Sequence, residues 1–182
     1  MYDFGIDNTT WLRETESFDR VVYVVRNPLD AFWSFWHLIR AKHNHLSRQE
    51  GVETLSIHHL YEVDRMAANW NQHIEYWMNV QIPRVVIRYE DLRGEGQVQQ
   101  LAGVLEFVFD NSTELPRIEE LMCADDNRSV AYKSKKNALF YGWDRFEPEV
   151  RDHLLGAVRS NWCKFGYEAL FRQTRGHKAV DC

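Results

Sequence analysis

No stretch of this 182-residue chain reaches the roughly 20 consecutive apolar residues that a membrane-spanning helix requires, so no transmembrane segment is expected within it. The first residues also lack the charged-then-apolar order of a signal peptide. Cysteine is scarce. Cys123, Cys163 and Cys182 are the three, none in C-x-x-C spacing, which removes the usual zinc and redox motifs and leaves one disulfide plus a free thiol open. Glycine is thin, nine residues in all, and none of it builds a phosphate-cradling loop. Gly5 is the only glycine before Arg26, and neither Gly94-Glu-Gly96 nor Gly103 follows a strand with a lysine and a hydroxyl behind it. Positive charge is not in excess either. A formal charge of −5 argues against general affinity for nucleic acid, although a local basic pocket for one nucleotide is compatible with it. Internal repeats and low-complexity tracts are missing.

What is present is enough to fold. With 45% hydrophobic and 14% aromatic residues over one domain's length, the chain can bury a sizeable core, which excludes general disorder. Val21-Val22-Tyr23-Val24-Val25 is a short apolar run rich in β-branched residues, expected as a strand buried on both faces of a parallel sheet. Arg26 emerges at its carboxyl end. Asn27 suits a helix N-cap, Pro28 the first helical position and Asp30 the third, where a carboxylate complements the helix dipole. Ser34 follows about two turns after the cap. The junction therefore offers backbone N–H groups, a bidentate guanidinium and a hydroxyl to one anion. The plain alternative pairs Arg26 with Asp30 and leaves Ser34 as filler.

Further along, Leu60, Val63, Ala67, Trp70, Ile74 and Trp77 recur at three- and four-residue steps, which predicts a long helix near Ser56 to Val80 with one apolar face. Trp70 and Trp77 are then core residues, and His73 between them is a hydrogen-bonded core histidine more readily than a catalytic base. Val85-Val86-Ile87 repeats the buried strand pattern after Pro83. Val98, Leu101, Ala102, Leu105 and Val108 predict another helix, after a loop at Arg93-Gly-Glu-Gly96. Strands linked through helices imply an α/β layered core. Glu90 and Asp91, adjacent at a strand end, point to opposite faces, so a shared acid–base role is not expected. His37, His43, His45, His58 and His59 lack partners at metal-ligand spacing, and no metal site is expected. Asn8-Thr-Thr, Asn111-Ser-Thr and Asn127-Arg-Ser are N-glycosylation sequons, which lean toward a secretory-pathway lumen.

The motifs together resemble one family. Arg26-Asn-Pro-x-Asp-x-x-x-Ser34-x-x-His37 after an apolar strand resembles the 3′-phosphate-binding segment of sulfotransferases, which take their sulfuryl group from 3′-phosphoadenylyl sulfate (PAPS). Trp70, His73 and Trp77 resemble that family's W-x-x-H-x-x-x-W stretch, and Arg84 to Leu92, RVVIRYEDL, its strand ending in Y-E-D-L. Phe146-Glu147-Pro148-Glu149, opening an amphipathic helix with Val150, Leu154, Val158 and Trp162, resembles the end of the domain. The spacing of Cys123, Lys136 and Phe146 is nearer to the WSC-domain-containing, membrane-anchored, Golgi-type branch than to the cytosolic one.

The resemblance implies that Arg26 and Ser34 hold the nucleotide 3′-phosphate and that Tyr89 contacts the adenine. It places Lys135 and Lys136 as the counterpart of the family's R-K-G-x-x-G segment, with Asn137 where the first glycine would stand. It also implies a 5′-phosphosulfate loop of the form K-S/T-G-T, which these 182 residues do not contain. The expected fold is thus an α/β sulfotransferase, P-loop-like, with a partial parallel sheet flanked by helices and without the first strand, loop and helix. The domain is read as residues 18–182 after an N-terminal segment, 1–17. Its partners are a nucleotide donor and a hydroxyl-bearing acceptor, a carbohydrate or small molecule. The expected activity is sulfation by an incomplete domain that is inactive alone, in the Golgi lumen or at its membrane for the full-length protein and otherwise in the cytoplasm. A non-catalytic nucleotide- or partner-binding module is the other reading. No catalytic residue is named.

Overall fold

The structure, a computed structural model, describes residues 18–44, 54–93, 96–109, 139–176 and 178–182, with the backbone alone for residues 38–44. Two parallel strands and five helices among these residues make a mixed α/β architecture. Strand β1 (Val21–Val25) runs beside β2 (Arg84–Arg88) in the register Val21 to Arg84 through Val25 to Arg88. The ladder is prolonged at both ends, where Val21 N–H donates to Pro83 O (2.9 Å) and Tyr89 N–H to Val25 O (2.7 Å).

Tyr23 and Val25 face the core, whereas Val22 and Val24 on the other face are 37% and 46% exposed. The expectation of a strand buried on both faces is corrected here. A continuous β-branched run is compatible with one buried face or two, and the helical aromatics that pack on β1 meet it from the Tyr23 side. Strand β2 is likewise only part-buried apart from Ile87.

Helix α1 (Pro28–Asn44) starts at once after β1, as the Asn-Pro-x-Asp order predicts. Asn27 Oδ1 accepts from Asp30 N–H (2.9 Å), and Asn27 O accepts the first helical bond from Ala31 (3.0 Å). Helix α2 (Leu60–Asn79) follows a 3-10 turn at Ile57–His59 and buries Val63, Met66, Ala67, Ile74 and Trp77, so the expected helix is two elements with one shared axis of hydrophobic spacing. Helix α3 (Gln97–Phe109) carries the apolar stripe after the loop, half-buried, with Val108 exposed.

Helix α4 (Pro148–Lys164) packs along α2 and buries Val150, Leu154, Leu155, Val158 and Trp162. The chain does not end with it, because α5 (Tyr167–Arg175) follows. Gly166, at φ +68°, turns the chain between them, and Gly176, at φ +78°, ends α5. Tyr167 and Phe171 bury completely, joining Trp162 and Phe140 in an aromatic core layer.

The tail after α5 is tied back twice. Glu168 Oε2 accepts from Ala179 and Val180 N–H (3.2 and 3.1 Å), and Cys163 is joined to Cys182 in a disulfide across 19 positions. Closing a loop of that length in the unfolded chain corresponds to about 3 kcal/mol of stabilisation. Cys182→Ser is therefore expected to lower the unfolding free energy by about that amount. Denaturant titration of the two proteins measures it.

Candidate functional site: a donor cluster at the strand–helix junction

The end of β1 is fixed from the side before it offers any chemistry. Trp70 on α2 donates its indole N–H to Arg26 O (3.2 Å), which accounts for the first tryptophan of the W-x-x-H-x-x-x-W stretch. The Arg26 side chain then runs along the start of α1. Its Nη1 donates to Ser34 Oγ (3.3 Å) and its Nη2 to the Tyr141 hydroxyl (3.2 Å). The Ser34 and Tyr141 hydroxyls are hydrogen-bonded to each other. Aromatic faces flank the guanidinium, with the Tyr89 ring centroid 4.7 Å and the Tyr141 centroid 5.7 Å from its carbon. Arg26 Nε is buried without a hydrogen-bond partner among the described residues.

The pairing of Arg26 with Asp30 is not what forms. Asp30 spends its carboxylate elsewhere: Oδ1 accepts from Gly142 N–H (2.8 Å), and Oδ2 from Phe140 N–H (3.0 Å) and Asn27 Nδ2 (3.0 Å). Burial pushes the Asp30 carboxyl above its ordinary range, while Asn27, Gly142 N–H, the charge of Arg26 and Phe140 N–H pull it down.

The expectation of free backbone N–H groups at the helix start holds in part. Glu90 Oε1 takes Asn27 N–H (3.0 Å) and Asn27 Nδ2 (2.6 Å), Asp30 N–H goes to Asn27 Oδ1, and Pro28 has no N–H to give, which leaves that of Leu29. A long-range carboxylate has filled the position at the dipole's positive end.

The Y-E-D-L residues lie past the strand end, in a turn and a 3-10 turn, and their side chains divide there. Tyr89 stays beside Arg26, its hydroxyl accepting from Arg93 Nη1 (3.0 Å). Glu90 is buried beneath the junction, 2% exposed. Asp91 turns back to a two-point bridge with Arg88 (2.8 Å to each oxygen), whose Nη1 also donates to Phe165 O (3.2 Å). His73 accepts from Trp77 Nε1 at Nε2 (3.1 Å) and pairs through Nδ1 with the Tyr23 hydroxyl (3.2 Å). Burial lowers its pKa, so it is a neutral packing histidine. His37 sits edge-on to Trp33 at 4.5 Å. Among the described residues no His, Cys, Asp or Glu group could hold a metal ion, and no helix is long and apolar enough to cross a membrane.

Lys135 and Lys136 lie outside the described residues, as do the three sequons and Cys123. Arg26, Ser34 and Tyr89 are brought together. Tyr141 was missed. Its signal was weak: one tyrosine between the basic tract and Gly142-Trp143, with no periodicity to place it.

Glu90 carries a sharper consequence. Burial raises its pKa above the ordinary carboxylate value, and the Asp30 charge adds to that rise. Its Oε2 and the Tyr167 hydroxyl are buried neighbours, neither with a hydrogen bond of normal geometry among the described residues. Because the folded state holds the proton more tightly, the Glu90 contribution to stability is fully present below the unfolded carboxylate value, about 4.3, and is lost as pH rises through the raised folded value. Glu90→Gln keeps the acceptor at Oε1, removes the charge and supplies a donor toward Tyr167. Its melting temperature at neutral pH is expected to be no lower than wild type, with a flatter decline as pH rises from about 4.3 through the raised folded value. Asp30→Asn instead turns an amide donor toward a backbone N–H and is expected to cost about 1–3 kcal/mol. Thermal melts of both variants across that pH range decide the matter.

Comparison with known proteins matches residues 14–151 to the sulfotransferase domain, and no solved structure matches the chain. The matched span takes in both strands, helices α1 to α3, the Tyr141 turn and the first residues of α4. It covers more than half of the chain and every residue of the donor cluster, and the α/β architecture is consistent with it: the chain belongs to the sulfotransferase family.

Proposed function

We propose that the donor cluster binds the 3′-phosphate of PAPS and that the sulfuryl group passes to a hydroxyl acceptor, a carbohydrate or small molecule. The observation that carries this is the Arg26 to Ser34 hydrogen bond across the strand–helix junction, made by a guanidinium that has aromatic faces and hydroxyls for company and no carboxylate bonded to it among the described residues. A cation so placed keeps its attraction for an anion, and its fork matches two phosphate oxygens. Tyr89 lines the same space and takes the adenine contact. Lys135 and Lys136 supply further positive charge in the family's manner.

Sulfuryl transfer needs the donor and acceptor held in line and charge on the bridging oxygen stabilised. The 182 residues supply the nucleotide anchor and contain no K-S/T-G-T loop for the 5′-phosphosulfate. Turnover is therefore assigned to a protein that carries such a loop in addition, and residues 18–182 to the 3′-phosphate-binding part of the domain. The Cys163 to Cys182 disulfide and the three sequons favour an oxidising lumen of the Golgi type. A non-catalytic binding module is the reading that remains if nucleotide binds and an extended protein transfers nothing.

Two measurements test the proposal. In calorimetry, 3′,5′-bisphosphoadenosine is expected to bind more tightly than AMP, and Arg26→Ala to lose about 2–5 kcal/mol of the bisphosphate affinity, with a smaller loss in Ser34→Ala. Equal binding of AMP and the bisphosphate would remove Arg26 and Ser34 from the phosphate. In a labelled-donor assay with hydroxyl-bearing sugars, the 182-residue chain is expected to show no transfer. Turnover by it would overturn the assignment of the 5′ loop to additional residues.

A further inference from the structure

The segment Phe140-Tyr141-Gly142 is held more firmly than a turn at a site margin requires. Both of its flanking N–H groups, those of Phe140 and Gly142, are bound by the one Asp30 carboxylate. Phe140 adopts a left-handed backbone, φ 56°, with its ring fully buried against Trp162 and Phe171. For a bulky residue that conformation persists only where the surroundings over-determine it. Gly142 approaches the first turn of α1 so closely that a Cβ would stand 2.4 Å from Leu29 O. Three constraints thus place the one side chain between them, Tyr141, against Arg26 and Ser34.

The hydrogen-bond inventory at that point is unbalanced. Arg26 brings donors only, and the Ser34 and Tyr141 hydroxyls bring one each. Tyr141 donates weakly to Asp30 O (3.3 Å) or to Ser34 Oγ, and accepts from Arg26 Nη2. The hydroxyl oxygen lies within hydrogen-bond reach of both the guanidinium and the serine. Its proton can turn from either acceptor toward an anion held there.

We infer that Tyr141 is a third phosphate ligand, a positioned phenol that donates its hydrogen bond to the anion held by Arg26 and Ser34 and so adds to the preference for a 3′-phosphorylated nucleotide. The inference rests on the proposal that Arg26 and Ser34 hold that phosphate. When a phosphate oxygen enters the fork, the Tyr141 O–H leaves Ser34 Oγ or Asp30 O for a charged acceptor, a stronger bond than either. The rigid turn means that the hydroxyl reaches the anion by rotating about its own C–O bond, with no movement of the loop.

Calorimetry on wild type, Tyr141→Phe and Arg26→Ala, each with 3′,5′-bisphosphoadenosine and with AMP, tests it. Tyr141→Phe keeps the ring, and an unchanged melting temperature confirms the fold. The expected result is a loss of about tenfold in bisphosphate affinity with AMP affinity unchanged. Bisphosphate binding by Tyr141→Phe as tight as wild type overturns the inference, and tighter binding overturns it by making the hydroxyl a competitor of the phosphate. Arg26→Ala separates the two levels: if it leaves the bisphosphate-over-AMP preference intact, the phosphate assignment itself falls, whereas a collapse there with no effect in Tyr141→Phe removes Tyr141 alone. As a direct readout, the Cζ resonance of 13C-labelled Tyr141, identified by its loss in Tyr141→Phe, is expected to shift with bisphosphate and not with AMP. Absence of that selective shift also overturns the inference.

Discussion

The Asp30 carboxylate accepts two backbone N–H groups from residues 110 and 112 positions downstream while its own N–H is capped by Asn27, and the rest of the junction depends on that arrangement. Asn27 carries the connection to Glu90 at the end of β2, so a single buried polar chain joins the α1 start, the β2 end and the Tyr141 turn. Buried groups of this kind stabilise a unique structure only when their bonds are made, and here nearly all are. The exceptions among the described residues of the junction are Glu90 Oε2, the Tyr167 hydroxyl and Arg26 Nε.

The electrostatic division of labour follows from the same network. Two carboxylates, Asp30 and Glu90, are bound at the helix start next to Arg26, yet both are engaged by amides and backbone. The guanidinium is left against two tyrosine rings, which hold a cation without neutralising it. An anion approaching a chain of net charge −5 gains little from long-range attraction, so selectivity must come from close contact. That is the contact a fork of guanidinium and hydroxyls supplies.

Much of this junction was legible in the residues because its rules are local. The N-cap, the proline at the first helical position and the aspartate at the third act within one turn, and Arg26 and Ser34 are placed by that turn. The α2 stripe was legible because 20 residues of three- and four-step spacing leave one face to bury. What escaped was non-local. Nothing within VVYVV says which face the helices will choose, and nothing near Asn27 announces that Glu90, 63 positions away, will occupy the helix start. Helix α5 has nine residues, too few for periodicity to stand out, and its start depends on a left-handed glycine. Tyr141 became visible only when Asp30 drew its turn across the sheet end.

The span of the Asp30 clasp has a consequence for biosynthesis. A ribosome releases Arg26 and Ser34 early, already on a capped helix, but the turn that completes the cluster emerges more than a hundred residues later. Until then the carboxylates at the helix start have lost part of their partners and remain hydrated. Loop closure over that distance costs entropy before any contact repays it, so the donor cluster is completed only after α2 has been made with its aromatic face. The order in which the chain is made thus leaves Arg26 and Ser34 without the Tyr141 turn until most of the chain has emerged.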